Sequence, residues 1–548
     1  MLTLKRIYLY VVLGITLAAM LIGLTDVVRI AFDRIGDALA ARSYVSEDLR
    51  TELSWALALV IVSVPLFLVH AALVRGALRG TPSEVADERA CSARATYIFL
   101  VLAGAGLIAA MRLFDLADGV IGLVFFGERA WGLAGTAAGS LVMGSAWLAH
   151  LWVRRTDLRA APQRTAGDWL TRAYLYGALF LSALLACVGV GNLLTTIARE
   201  VLELQPAWRY ATGWRDELSW SLALTVVAAA IWLTHWAISL RLVRAAPPMG
   251  ATHRASQTRS GHFLAVELVS VAVALALMAM GLRAAFAGML GTWHPSDGSR
   301  LIEDIGGPLL LAVPFVVAGW WHLRRVVAEA LAFDGPGRER VMRRAGRLVL
   351  SLVGLSGLAI GLAWELQALL DAIGSAGRET LFSTRAIEEA STSALATALV
   401  GFVLWVPAWV LLQRERRRDV IEVATASARR AYLLLVAGVA LVALMLTTAF
   451  VIYQATRLLL GTELIDDASW ALAVMVVAAV VLAYHLYCLR ADMLLARAVE
   501  QEAITSRETR AVETIEIDAP SGADFSVLNA AIRSELPPGY ELRILSHS

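Results

Sequence analysis

The sequence predicts an all-α membrane protein: twelve transmembrane helices arranged as six tandem helical hairpins, followed by a small βαβ-like strand, helix, strand tail. Three observations predict it. Charged residues make up only 17% of the chain and apolar ones 58%, against about 25% charged in soluble domains. Twelve runs of about 15 to 26 uncharged residues follow one another along the 548 residues, and roughly 20 apolar residues suffice to cross a hydrocarbon core as helix. Finally, one polar skeleton recurs: Glu52, Ser54, Trp55 and His70; Glu217, Ser219, Trp220 and His235; Asp467, Ser469, Trp470 and His485, with the His 18 positions after the acid each time. In lipid every backbone N–H and C=O must bond internally, which leaves helices or a closed barrel, and runs of this length select helices.

The hairpins fall at 1–85, 86–165, 166–250, 251–338, 339–424 and 425–497, a period of about 83 residues. Looser copies of the skeleton carry Glu128, Trp131 and His150, then Asp304, Gly307 and His322; in the fifth, Ala408 stands where the His would be. The first apolar run, behind Lys5 and Arg6, could pass for a signal peptide, but it is needed as the first helix of the first hairpin. Each first helix opens on an arginine with aromatic residues behind it: Arg6, Tyr8 and Tyr10; Arg94 and Tyr97; Arg172, Tyr174 and Tyr176; Arg430 and Tyr432. Tyrosine there suits an aromatic belt, its hydroxyl among the headgroups. Toward the other end the first helix turns amphipathic, with Val28, Phe32, Ile35 and Leu39 on one stripe, as in a helix lying along an interface.

Each second helix opens on the acid of the skeleton, which complements the unpaired N–H groups of a helix N-terminus. Eighteen residues at 1.5 Å each span about 27 Å, so the His reaches the opposite interface. The tail, 498–548, is acidic and polar. In it Ile515 and Ile517 alternate as in a strand, Phe525, Leu528, Ile532 and Leu536 keep helical spacing, and Tyr540, Leu542 and Ile544 alternate again after Pro537, Pro538 and Gly539. A partner protein or a second copy is expected to dock on 514–545, because two strands and one helix bury too little to stand alone.

The net charge of +2 matters less than its distribution. Arginines crowd the N-terminus and the segments between hairpins, such as Arg414, Arg416, Arg417 and Arg418, whereas acids crowd the loops within hairpins. The positive-inside rule then places both termini in the cytoplasm of a chain in the inner (plasma) membrane. Cysteines introduced over 80–92 are expected to resist an impermeant external thiol reagent and those over 43–46 to react; the reverse pattern would overturn this orientation. Cys91, Cys187 and Cys488 have no CxxC spacing, so no disulfide framework or zinc site is expected.

Tyr174 and Tyr176, with Trp232, His235 and Trp236 near the end of the partner helix, make the chain resemble a bacterial integral-membrane domain of unknown function built of paired helices. The resemblance covers roughly residues 5 to 496 as six divergent copies. The fourth and fifth copies lack the tyrosine pair and the Ser-Trp pair, and the fifth lacks the His. The resemblance implies a fold and a location and no chemistry.

Two sets of residues are candidates for function. His70, His150, His235, His322 and His485 stand at equivalent places; they either snorkel or bond a loop carbonyl, or they serve as a relay, or as ligands of haem or another metal. Ionisable groups inside spans are costly and hence functional candidates. Glu267 shortens the seventh uncharged run to 268–282, Arg283 follows at once, and Arg112, Asp115 and Glu365 sit at comparable outer depths in other hairpins. No phosphate loop, HExxH or GxSxG is present, so neither an enzyme nor a nucleic-acid partner is expected. Parallel repeats place solute sites between them in transporters, which makes transport of a small solute or ion the leading expectation and no cofactor part of it. A membrane scaffold or sensor acting through the tail is the alternative, and a haem redox protein the third.

Overall fold

The computed structural model describes residues 2–39, 47–127, 132–160, 168–202, 213–245, 249–254, 256–289, 302–375, 381–418, 422, 426–460, 468–508, 530, 532 and 534. Its helices are α1 (Leu2–Leu39), α2 (Glu47–Ala77), α3 (Pro82–Ala90), α4 (Ser92–Phe126), α5 (Leu133–Ala160), α6 (Asp168–Val201), α7 (Gly213–Arg244), α8 (Met249–Arg254), α9 (Gln257–Met289), α10 (Gly307–Asp334), α11 (Pro336–Ser375), α12 (Leu381–Arg418), α13 (Ser427–Leu459) and α14 (Ser469–Glu508). A π-helical turn, Ile302–Gly306, leads into α10. Short breaks carry recognisable stop and start chemistry. Gly127 takes the left-handed conformation (φ 68°) that ends α4, and Thr81 and Glu84 form a capping box behind Pro82 at the start of α3. The Thr81 amide and hydroxyl both donate to Glu84, which holds its carboxyl below the ordinary range.

Among the described residues eleven helices are long and apolar enough to cross a membrane, which bears out a multi-pass chain and leaves the twelfth expected span unconfirmed. The missing one is α5, a 28-residue helix rich in Gly, Ser and Thr. It has the length to cross, about 42 Å, but its small polar residues lower its hydropathy. The expected strands at 515–517 and 540–544 lie outside the described residues, and beyond 508 the described residues, Ala530, Ile532 and Ser534, are helical. Among the described residues there is no strand. The chain divides into two compact parts, Met1–Arg490 and Ala491–Ser548.

Within the first part α1 packs on α2, α4 on α5, α6 on α7, α9 on α10 and α11 on α12. Hairpins then join in pairs: α1 packs on α5 and α6 on α10, so the first helix of an odd hairpin holds the second helix of the even one. Leu348 of α11, Trp409 of α12, Leu433 of α13 and Cys488 of α14 share one core in the last pair. The building block is therefore a unit of four long helices, and among the described residues there are three: α1, α2, α4 and α5; α6, α7, α9 and α10; and α11 to α14. Successive units meet through α4 with α7 and α9 with α12.

Lipid tails are as apolar as leucine, so helices in a bilayer associate through close backbone approach and polar bonds rather than hydrophobic exclusion. The α11–α12 pair shows the first device. A Cβ at Gly401 would stand 2.2 Å from the Leu358 amide nitrogen, and one at Gly361 2.3 Å from that of Ala398. The second device, polar bonds between helices, is concentrated at the end of the units where the arginines lie.

Candidate functional site

The third helix of each unit opens on an arginine, and the fourth carries an acid seven residues beyond its His: Arg94 with Asp157, Arg259 with Glu329, Arg429 with Asp492. Two helical turns separate His and acid, which places both on one face. In the first unit Arg94 grips Asp157 with two bonds, Nε to Oδ2 at 2.7 Å and Nη2 to Oδ1 at 3.2 Å. Its Nη1 donates to the Tyr10 hydroxyl (3.2 Å), which donates to Glu88 (2.8 Å), and Arg6 closes the chain on Glu88 (2.7 Å). The second unit repeats this. Arg259 donates to Glu329 from Nε (3.0 Å) and Nη2 (2.5 Å), to the Tyr176 hydroxyl (3.3 Å) and to Ser239. All four ionic partners are buried or nearly so, and so are Arg429 and Asp492. A buried charge of this kind persists only when paired and hydrogen-bonded. These bonds therefore clamp the first two units.

The tyrosines depart from the belt expectation. Tyr10, Tyr176 and Tyr432 are buried, with hydroxyls bonded to Arg94, Arg259 and Ser351 respectively, whereas Tyr8 is exposed. The five histidines share one geometry. Each Nδ1 lies 2.8 Å from the carbonyl four residues back in its own helix, those of Leu66, Ala146, Ile231, Ala318 and Val481. A carbonyl only accepts, so Nδ1 carries the hydrogen and Nε2 is the acceptor. The Tyr97 hydroxyl donates to His150 Nε2 (2.8 Å); that of Tyr174 donates to His235 Nε2 (3.2 Å) while accepting Trp147 Nε1–H (2.6 Å). In the second unit His262 replaces the tyrosine, its ring 5.8 Å from that of His322, whose Nε2 has no hydrogen-bond partner among the described residues.

Glu267 lies one turn beyond Phe263 on the same helix face. It is 1% exposed, and neither carboxylate oxygen has a hydrogen-bond partner among the described residues. Ser270 Oγ, one turn on, likewise has none. Gly346 at the start of the third unit makes the room: a Cβ there would stand 3.2 Å from Oε1 and 2.2 Å from Leu323. The corresponding residues in the other units are Leu102 and Ala437, and those corresponding to Gly346 are Tyr8 and Tyr174. The carboxyl thus belongs to one seam, between the second and third units.

The other candidates do not gather around Glu267. Arg112 pairs with Asp115 across 3.7 Å on an exposed face of α4, Arg283 is exposed 16 residues along α9, and Glu365 on α11 takes a long bond (3.5 Å) from Ser391. Among the described residues no group of three or more His, Cys, Asp or Glu could hold a metal. The described residues form a small polar recess and a larger apolar groove. A recess of about 20 Å³, room for one water, reaches the Arg259–Glu329 pair past Arg254, Asp334 and Arg338. An apolar groove of about 900 Å³ runs between α1 and α4 from Arg6 and Ser92 to Ile22 and Ile108.

Sequence reasoning passed over the clamp. The signal was present in the acids at His plus seven, Asp157, Glu329 and Asp492, which recur at twice the hairpin period. A family model described as a domain of unknown function (DUF5671) matches the chain at residues 6–144, 172–319 and 344–483. Each match covers two hairpins, so its repeat coincides with the four-helix unit. No curated protein and no solved structure matches the chain significantly.

Proposed function

We propose, from the premise that the chain belongs to the DUF5671 family, that this multi-pass membrane protein moves a small solute or ion across the inner membrane, with Glu267 as the group that binds a proton or cation during the cycle. The observation that supports it is the unpartnered, buried carboxyl at the seam between two units. An unpaired charge in such a place costs several kcal/mol, so the site favours whatever neutralises it. Repeat seams are where transporters build such sites, and this seam sets a carboxyl opposite a glycine. The recess at Arg259 and Glu329 lies two turns toward the arginine end.

The test compares the solutes inside and outside cells that lack the gene, carry it, or carry Glu267→Gln. At least one solute is expected to follow the wild-type gene and to lose its gradient in the variant, with protein levels equal. A variant that redistributes the same solutes as the wild type would remove Glu267 from the mechanism. The arginine end favours a second reading, a membrane scaffold or sensor. There the clamps of Arg94 and Arg259 fix the helices rather than let them rock, and the tail that would take the partner follows α14.

A further inference from the structure

Helix α7 meets the preceding unit through one face. Ser219 donates to Asp118 of α4, Trp220 sets its edge on Phe114 and Trp214 on Phe126. Ser219, Ala223 and Val227 line that face, on the side of α7 away from Thr225, which packs against Gly189 of α6. In α12 the corresponding residues are Thr392, Ala396 and Val400, again on the side away from the partner in its own hairpin, since Ala394, Ala398 and Gly401 face α11. All six are buried.

In α2 the corresponding residues are Ser54, Ala58 and Val62, the same chemistry at the same spacing. All three are exposed: Val62 at 62%, against 7% for Val227 and 4% for Val400. They lie opposite the side of α2 that packs on α1, where Ala56, Leu59 and Val60 surround Gly23. Among the described residues no helix packs along this face. Trp55 likewise stands 64% exposed. Lipid would be served as well by leucine or phenylalanine; small residues at this spacing suit the close approach of a helix. At the other end of the array, among the described residues no second helix of another unit packs on α13, the third long helix of the last unit. Ala449, exposed, and Tyr453, 50% exposed, hold the places of Phe114 and Asp118.

We infer that the chain associates head to tail with a second copy of itself, α2 of one chain seating on α13 of the next as α7 seats on α4 and α12 on α9. The joint continues an interface the chain already builds twice. It buries the small-residue face and lets the Ser54 hydroxyl donate to that of Tyr453. Because the two surfaces differ, the contact is heterologous and generates a ring or a row rather than a two-fold dimer.

The experiment uses full-length chains in their own membranes, with Cys91, Cys187 and Cys488 replaced by alanine. Differently tagged chains carrying Ser54→Cys and Tyr453→Cys are co-expressed and oxidised. A mixed-tag disulfide dimer that needs both substitutions is expected, together with an oligomeric mass by light scattering in nanodiscs. Ala58→Trp should abolish both, while the α1–α2 hairpin keeps its fold because the face points away from α1. A monomeric mass with no cross-link would overturn the inference and assign the face to lipid. Cross-linking of Ser54→Cys to itself in place of the mixed product would overturn the head-to-tail geometry.

Discussion

Replacing Arg94 by alanine is expected to remove most of the folded protein from the membrane. Asp157 is buried and takes two bonds from Arg94; its other arginine, Arg89, stands 3.8 Å away at an outer position. Removing one partner of a buried pair costs about 3–5 kcal/mol, because the remaining charge is left without compensation. The double variant Arg94→Met with Asp157→Leu is expected to recover much of the loss, since well-packed apolar replacements of both partners are often neutral or stabilising. Unfolding in detergent, followed by helix content, measures both. Equal losses in the single and double variants would show that the clamp stabilises through something other than charge pairing.

The second large effect is steric. Gly401→Leu is expected to abolish a monodisperse peak in size-exclusion chromatography, because even its Cβ would fall 2.2 Å from the Leu358 amide nitrogen and 2.6 Å from the Gly357 carbonyl carbon. Both are backbone atoms, so relief requires α11 and α12 to separate along their length. Overpacking costs about 1–3 kcal/mol even where side chains alone must move. Gly104→Leu is the control: nothing lies within 4 Å of its Cβ position, so that variant should run as the wild type does. A monodisperse Gly401→Leu protein would mean that the two helices do not approach this closely.

The hairpins were legible in the sequence because their signals are local. Eighteen residues from acid to His measure one crossing, whatever the helix packs against. The four-helix unit was less legible, because Arg6, Arg94, Arg172, Arg259 and Arg429 all open first helices and look alike in the chain. Only their partners tell them apart. Arg94 and Arg259 turn inward onto Asp157 and Glu329, 63 and 70 residues away. In the odd hairpins the place seven residues beyond the His holds Ala77, Leu242 and Glu415, and the last of these is paired with Arg347 (2.6 Å). The aromatic belt misled for a related reason: Tyr8 and Tyr10 are two residues apart, which on a helix points them to different sides, and only one faces lipid. Glu267 lies within the candidate span Gln257–Met289. Its neighbour Gly346, 79 positions on, could not be paired with it from the chain alone, since a glycine leaves no pattern to match.

The arginine clamps also impose a schedule on biogenesis. Arg94 leaves the ribosome 63 residues before Asp157, which at about 5–20 residues per second is several seconds. During that interval Tyr10 and Glu88, already synthesised, are the nearest groups that can hold the guanidinium, so the nascent unit lodges its third helix against the first before the fourth exists. The fourth long helix then acts as a latch, closing the first unit when Asp157 arrives and the second when Glu329 does.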